Sequence, residues 1–291
     1  MCLIAWNWQP ESSTPLLLVG NRDEFYARPA QPLQWWDGDH ILAGKDLRAG
    51  GTWLGVTRTG RLAALTNYRD VTTAGYASQL PGHVPAEARS EVPSRGELVT
   101  EFLQSDQSAS VFLQRLASRT KYYNAFNLLV FDGSRLLGLQ SRQAEIVVMQ
   151  PGIGAVSNAD FHSPWPKLAW LQNALKNHIN ACANDFDDRD ADSSADEEAL
   201  FSLLKNDAIA PDHALPQTGL PLARERALSA AFIVSPDYGT RASSVVRFGQ
   251  TQLSFTERSF VAQGELGTQR HSFLLGAAAT DTAATPARDH G

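Results

Sequence analysis

Short apolar runs separated by polar turns fill the first 160 residues, a pattern typical of β-hairpins. The run at 2–8 and the aliphatic run at 16–21 flank a turn-forming segment, which predicts a first hairpin. Three further pairs of runs repeat the pattern: TWLGVT with RLAALTN, AFNLLVF with RLLGLQS, and AEIVVMQ with IGAVSN. The pattern predicts an antiparallel meander and not a series of strand–helix–strand crossovers.

Helical spacing interrupts the strand-like pattern in two regions. Ser94 and Glu97 fit a capping box ahead of ELVTEFLQ, and ASVFLQRLASR follows with apolar residues at helical spacing. A longer helix is predicted from Pro166, with one apolar stripe formed by Leu168, Leu171, Leu175 and Ile179. DEEALFSLLKND predicts a short helix after it.

The C-terminal third returns to strand-like sequence, and then loses any core-forming pattern. The predicted strands are ALSAAFIVS, ASSVVRFG and QLSFTERSFV. From Gly276 onwards the residues are small or polar, so 276–291 is predicted to be a disordered tail. We therefore predict a single domain, 1–275, with an acidic insertion at 183–198.

The net charge of −6 comes from that insertion. Eight acidic residues and one arginine between 185 and 198 give a local charge of −7, which leaves about +1 for the rest of the chain. This distribution predicts no nucleic-acid partner. The oligomeric state is not predicted by any pattern in the sequence.

Two cysteines, Cys2 and Cys182, are too few for a disulfide framework and fit a reducing compartment. No apolar run is long enough to span a membrane, and the first residues lack the basic region of a signal peptide. The sequence therefore predicts a soluble, cytoplasmic protein.

Cys2 directly follows the initiator methionine, which gives it a chemistry that an internal cysteine lacks. Because cysteine is small, we expect Met1 to be removed, leaving a free α-amine and a thiol on one residue. Such a thiol attacks a carbonyl while the amine, with a reference pKa of about 7.7–8.0, acts as base. Position alone favours the alternative of an incidental buried cysteine.

The first hairpin carries a charged motif towards this thiol. If the polar segment after the first run forms the turn, Cys2 lies opposite Asn21 within about one residue. Side-chain alternation then places Asn21 and Asp23 on one face of the strand and Arg22 and Glu24 on the other. One acid could hold the α-amine, and the arginine could favour the thiolate.

Five segments resemble the NRDE family, which is named for its Asn-Arg-Asp-Glu motif and includes the transport and Golgi organisation protein 2. They are MCLIAWNW, GNRDEFYARP, ILAGKDLRAGGTWLGVTRTGRLAALTNYRD, SNADFHSPWPK and YGTRASS. They follow the family's order; in the last, members often read YGTRSST. The resemblance implies an N-terminal nucleophile hydrolase fold: an α+β, four-layer αββα sandwich of two antiparallel sheets.

A more distant similarity, to penicillin V acylase and bile salt hydrolase, implies roles for single residues. The implied catalytic set is Cys2, Arg22, Asp23, Asn67, Asn158 and Arg241. Cys2 is the nucleophile, Asp23 orients its amine, and the two asparagines donate to the oxyanion. Arg22 departs from the pattern, because in those enzymes the arginine is two residues further from the acid. The expected binding residues are Asn21, Glu24, Trp53 and Tyr68.

Two functions fit this resemblance. The first is an N-terminal cysteine hydrolase of a small amide, which requires no cofactor. The alternative is a non-enzymatic carrier on the same fold that binds haem or acyl-CoA and lipid, since family members have been linked to both. Five tryptophans either line an apolar pocket or belong to the core: Trp6, Trp8, Trp35, Trp36 and Trp53.

No metal site is predicted. The chain has seven histidines, and no two of them stand at metal-ligand spacing: His40, His83, His162, His178, His213, His271 and His290.

Overall fold

The computed structural model describes residues 2–38, 40–69, 92–184 and 194–276. Strands predominate in these residues. They are β1 (Cys2–Trp8), β2 (Leu16–Phe25), β3 (Ala30–Trp35), β4 (Ile41–Asp46), β5 (Leu54–Thr57), β6 (Leu62–Asn67), β7 (Phe126–Phe131), β8 (Leu136–Gln140), β9 (Glu145–Val148), β10 (Gly152–Val156), β11 (Tyr238–Phe248), β12 (Gln252–Val261) and β13 (Gly264–Leu274). The helices are α1 (Gly96–Gln104), α2 (Ala109–Ala117), α3 (Pro166–Asn184), α4 (Ser194–Leu204) and α5 (Leu222–Ala227).

The strands form two antiparallel sheets. One has six strands in the order β10-β1-β2-β11-β12-β13, and the other has seven in the order β3-β4-β5-β6-β7-β8-β9. The seven-stranded sheet is a simple meander, as the hydrophobic pattern predicted. The six-stranded sheet instead combines strands from both ends of the chain with β10 from its middle.

Three apolar clusters define the layers. One lies between the sheets and includes alternate residues of β1 such as Ile4 and Trp6. A second packs α1 and α2 on the outer face of the seven-stranded sheet, through Phe102 and Phe112 among others. A third packs α3 and α4 on the outer face of the six-stranded sheet. The predicted four-layer αββα sandwich is confirmed.

The first hairpin forms, with a register one residue away from the one predicted. Cys2 pairs with Arg22, and Leu3 pairs with Asn21. Because side chains alternate along a strand, a shift of one residue changes which side chains share a face. Cys2 therefore shares its face of the sheet with Arg22 and Glu24, whereas Asp23 lies on the opposite, helix-covered face.

Three local predictions are wrong. The predicted hairpin of AEIVVMQ and IGAVSN does not form, since β9 pairs with β8 and β10 pairs with β1 in the other sheet. The predicted strand ALSAAFIVS lies mostly in turns after α5. The predicted capping box is absent, because Arg95 is the N-cap of α1 and makes no side-chain capping bond.

The acidic insertion and the tail lie partly or wholly outside the described residues. Within the insertion, 194–198 form the start of α4, and 185–193 are not described. Of the predicted tail, Gly276 alone is described. No helix in the described ranges has both the length and the apolar character needed to cross a membrane.

Candidate active site

Cys2 is the first residue of β1, and its side chain joins the apolar cluster between the sheets. It is 7% exposed and carries a free thiol. Burial raises the pKa of this thiol, and the nearby positive charge of Arg22 opposes part of the rise. The thiol is therefore mainly protonated near neutral pH and needs a base before it can attack a carbonyl.

A cavity of about 170 Å³ opens beside Cys2, with walls contributed by both sheets and by the start of α1. Seven of the residues predicted from the sequence line it: Cys2, Arg22, Asp23, Glu24, Trp53, Asn67 and Arg241. The three other predicted residues, Asn21, Tyr68 and Asn158, are not part of the lining. Residues far apart in the sequence thus meet at one cavity.

Four charged side chains form a network on one wall. The Asp46 Oδ2 atom lies 3.3 Å from Arg22 Nη2 and 2.6 Å from Arg28 Nε. Glu24 Oε2 lies 3.6 Å from Arg22 and 3.8 Å from Arg28. Burial alone would raise the pKa of Asp46, but the hydrogen bond from Arg28 holds it below its ordinary value. Because two cations face two anions, Arg22 shares its charge with Asp46 and Glu24 as well as with the thiol.

Asp23 is buried beneath this network. Its Oδ1 atom accepts a hydrogen bond of 2.8 Å from Thr240 Oγ1. Burial raises the pKa of the carboxyl, and the positive charge of Lys167 counteracts part of that rise. Lys167, in the first turn of α3, is 4% exposed, and its Nζ atom has no hydrogen-bond acceptor among the described residues. Burial lowers the pKa of this lysine to about 8.

Asn67 and Asn158, which end strand-like segments of different sheets, are in contact. Asn158 Nδ2 lies 2.9 Å from the Asn67 carbonyl oxygen and 3.4 Å from Asn67 Oδ1. The Ser157 hydroxyl lies 2.9 Å from the Cys2 carbonyl oxygen and 3.0 Å from Asn158 Oδ1. The amide of Asn158 is thus directed at Asn67, and Asn67 is the asparagine at the cavity.

Arg241 binds the backbone that follows β2. Its Nη1 atom donates to the carbonyl oxygens of Phe25, Tyr26 and Arg28 at 2.9–3.1 Å, and its Nε atom donates to Phe260 at 3.0 Å. These contacts fix the segment that carries Arg28 at the cavity wall. These contacts give Arg241 a structural role, and the catalytic role that the sequence resemblance implied stays a prediction.

Asn21 and Tyr68, predicted as binding residues, make structural contacts away from the cavity. Asn21 Nδ2 donates to the carbonyl oxygens of Leu204 and Ala231, both at 2.8 Å, and so ties β2 to the helical layer. The Tyr68 hydroxyl donates to Asp160. Asn21 thus anchors the middle of β2, and Tyr68 anchors the residue that follows β6.

The family model described as Transport and Golgi organisation 2 matches residues 1–262. The chain belongs to this family. The Transport and Golgi organization protein 2 homolog of Bos taurus is 32% identical, over 94% of this chain and 99% of its own. The Homo sapiens homolog is 31% identical, over 90% and 94% of the two chains. The family predicted from the motifs is confirmed.

Two solved structures resemble this member of the Transport and Golgi organisation 2 family. An N-acylethanolamine-hydrolyzing acid amidase ortholog from Caenorhabditis elegans has a TM-score of 0.46 at 9% identity, covering 84% of this chain and 92% of its own. A C2A mutant of the conjugated bile acid hydrolase from Clostridium perfringens has a TM-score of 0.40 at 8% identity, covering 94% and 92%. Because both scores are below 0.5, the fold assignment rests on the layers and strand order described above.

Several charged residues at or near the cavity of this family member were missed by the sequence analysis, among them Asp46, Arg95, Lys167 and Glu257. Glu257 of β12 is fully buried and accepts a hydrogen bond of 2.9 Å from the Leu33 amide. Burial raises the pKa of its carboxyl to about 7. A charged residue inside an otherwise apolar strand was the available signal for Glu257, whereas Lys167 and Arg95 occur in sequence typical of a solvent-exposed helix start.

A second cluster of polar side chains lies in the outer helical layer. His178 Nε2 is 2.7 Å from Asp196 Oδ1, and Cys182 Sγ lies 3.8 Å from the imidazole and 3.5 Å from the same carboxylate oxygen. His178 and Cys182 stand four residues apart on α3. The prediction of no metal site rested on the spacing between two histidines, and this pair consists of a histidine and a cysteine. Asp196 also pairs with Arg247, so the cluster fastens α4 to α3 and to β11.

Proposed function

We propose that this protein is an N-terminal cysteine hydrolase that cleaves a small amide by acyl transfer through Cys2. The observation that supports the proposal most is that Cys2, the first residue of β1, and Asn67, the last residue of β6, line the same cavity although they belong to different sheets. A nucleophile and an amide donor on opposite walls suit a carbonyl group held between them. The family and the overall layering are compatible with this activity.

The first half-reaction forms an acyl-enzyme. With Met1 removed, the α-amine of Cys2 takes the thiol proton, and Sγ attacks the carbonyl carbon of the amide. The C–N bond then breaks, and the leaving nitrogen takes the proton from the α-ammonium group. The products are a thioester on Cys2 and a free amine.

Three residues, Asn67, Asp23 and Arg22, assist this step directly in the proposal. Asn67 donates to the oxyanion that forms on the attacked carbonyl, while Asn158 holds Asn67 in place through the 2.9 Å contact. Asp23 orients the α-amine, and the positive charge of the buried Lys167 favours the ionised form of the Asp23 carboxyl. Arg22 stabilises the thiolate, although its charge is shared with Asp46.

The second half-reaction returns the free enzyme. A water molecule attacks the thioester carbonyl while the α-amine takes one of its protons. The C–S bond breaks, the thiolate takes that proton, and a carboxylic acid leaves. The net reaction is hydrolysis of one amide bond to an acid and an amine.

The test compares three versions of the full chain: wild type, Cys2→Ala and Cys182→Ala. Intact mass establishes whether Met1 has been removed and whether a short acyl amide leaves an acyl adduct. Wild type and Cys182→Ala should hydrolyse members of a short-chain acyl-amide panel and carry the adduct, and Cys2→Ala should do neither. Absence of both hydrolysis and adduct in wild type that has lost Met1 would overturn the proposal.

The alternative, a carrier of haem or acyl-CoA, has less support from the cavity. Its volume of about 170 Å³ is below the roughly 300–1,000 Å³ of typical small-molecule sites. Among the described residues of its wall, Cys2 is the one side chain of the types that bind haem iron. If wild type hydrolyses nothing and Cys2→Ala binds haem or acyl-CoA as wild type does, the carrier function is the better account.

A further inference from the structure

The cationic side chains of the cavity wall differ in how their charge is balanced. Arg22 and Arg28 share the carboxylates of Asp46 and Glu24. Lys45 lies 4.8 Å from the centre of the Trp36 ring. The two remaining cations, Arg95 and Arg241, have no carboxylate within 4 Å in the described parts of the chain. The wall also carries four carboxylates, those of Asp23, Glu24, Asp46 and Glu257, so with its five cations its formal charge is +1.

Arg95 is the less engaged of these two. Arg241 donates four hydrogen bonds to backbone carbonyls, whereas the guanidinium of Arg95 donates one, from Nη1 to the Ala125 carbonyl oxygen at 3.1 Å. Burial lowers the pKa of Arg95 to about 10, so the side chain remains charged at neutral pH. Arg95 is half-buried, so its guanidinium has lost part of its hydration, and no ion pair within the described ranges offsets that loss.

The position of Arg95 at the wall is fixed by its neighbours. The backbone of Gly96 passes so close to Gly51 that a Cβ atom on Gly51 would lie 2.5 Å from the Gly96 carbonyl carbon. This contact holds the start of α1 against the loop before β5, which also carries Trp53 of the cavity wall. The backbone that carries Arg95 at the cavity wall is therefore held in place by packing.

We propose that Arg95 binds an anionic group, a carboxylate or a phosphate, on the substrate whose amide Cys2 attacks. The planar guanidinium suits two parallel hydrogen bonds to two oxygens of such a group. The inference rests on the proposed hydrolase function and narrows its substrates to amides that carry a negative charge near the scissile bond. Neutral acyl amides are then poor substrates of the same nucleophile.

The experiment uses matched pairs of amides that differ by one charge. A glutaryl anilide against a pentanoyl anilide places the charge on the acyl side, and an acylglycine against an acylglycinamide places it on the amine side. Wild type should prefer the charged member of at least one pair by about 10- to 100-fold in kcat/KM, the range expected for one charged hydrogen-bonded contact. Inorganic phosphate should inhibit competitively.

Arg95→Gln should remove this preference and the phosphate inhibition while it changes hydrolysis of the neutral amides less than about threefold. Arg95→Lys should keep part of the preference. Arg48→Gln, at an exposed arginine outside the wall, is the matched control and should keep all of it. Equal preference in wild type, or an unchanged preference in Arg95→Gln, would overturn the proposal.

A different role of Arg95, support of the Cys2 thiolate, has its own signature. In that case Arg95→Gln lowers kcat/KM for charged and neutral amides by the same factor and shifts the pH profile of both, which would also overturn the proposal.

If no amide is cleaved at all, calorimetry with glutarate and with phosphate on Cys2→Ala tests whether the anion site exists. Binding that is lost on adding Arg95→Gln supports the anion site without the hydrolase, and absence of binding overturns the anion site.

Discussion

Asn67 is held at the cavity by a contact from the other sheet. Its carbonyl oxygen accepts from Asn158, which itself lies beside the Ser157 hydroxyl. An amide placed in this way needs little rearrangement when charge develops on a nearby carbonyl oxygen, and such preorganised donors lower the barrier of acyl transfer. The importance of Asn67 can be measured directly.

We expect Asn67→Ala to lower kcat about 10²- to 10³-fold with little change in KM, because the lost donor acts mainly in the transition state. The measurement is steady-state hydrolysis of the best amide of the panel, with circular dichroism to establish that the fold is retained. Asn7→Ala, at the far end of β1, is the control and should keep wild-type rates. Equal rates for Asn67→Ala and wild type would exclude Asn67 as the donor.

Lys167 is expected to set the pH dependence of the reaction through Asp23. Burial raises the pKa of Asp23, and Lys167 lowers it again in part. Lys167→Met removes that compensation, so the pKa of Asp23 rises further and the ionised form is reached at a higher pH. The acidic limb of the pH profile of kcat/KM should move to higher pH, and Lys167→Arg should keep it nearer wild type. A limb that does not move in Lys167→Met would remove Lys167 from the mechanism.

At the residue scale, the sequence predicted which residues a hairpin brings together, but few of the contacts between segments that are distant in the chain. The proximity of Cys2 to Arg22 follows from the turn length, within one residue. The meeting of Asn67 with Asn158 was implied only by resemblance to other enzymes, since no local pattern links two strand ends 91 residues apart. Arg95 and Lys167 were missed because a cation at a helix start ordinarily faces solvent, and only the tertiary fold buries it.

At the scale of elements, the start of α1 is fixed by backbone contact between two glycines. A Cβ on Gly51 would meet Gly96 carbonyl carbon and oxygen at 2.5 and 2.7 Å. Because these are backbone atoms, they have no flexible end that can move aside. The helix and its N-cap arginine must shift if a side chain is introduced.

Gly51→Ala should therefore reduce the free energy of unfolding by about 1–3 kcal/mol, the usual cost of overpacking. It should also raise KM for a charged amide more than for its neutral partner, since Arg95 moves with the helix. Urea unfolding and paired kinetics measure the two effects. Gly267→Ala in β13, where nothing lies within 4 Å, is the control. An unchanged unfolding curve for Gly51→Ala would contradict the tight contact.

Elements were predicted well where neighbouring strands in the sequence pair with each other, and poorly where a strand pairs with one that is distant in the sequence. The meander and the long helix from Pro166 follow from periodicity alone. The assignment of β10 to the other sheet does not, because a Pro-Gly turn between two apolar runs looks the same whether the runs pair with each other or separate. The turns after α5 are apolar because they are buried, which made them resemble a strand.

At the scale of the whole molecule, stability is distributed over the three apolar clusters. Leu18 belongs to the cluster between the sheets, and Leu113 belongs to the cluster beneath α1 and α2. Both side chains are fully buried. We expect Leu18→Ala and Leu113→Ala each to lower the free energy of unfolding by about 2–5 kcal/mol in urea titration. Val111→Ala, at an exposed position of α2, should change it by less than about 1 kcal/mol.

The two sheets differ in how far apart their strands lie in the chain, and this orders events on the ribosome. The seven-stranded sheet is continuous from β3 to β9, whereas β2 is completed by β11, which is translated much later. At roughly 5–20 residues per second, β2 waits for about 10–40 s before that neighbour emerges. In the proposed mechanism, removal of Met1 has this interval in which to occur, before β11 completes the sheet beside Cys2 and Arg22.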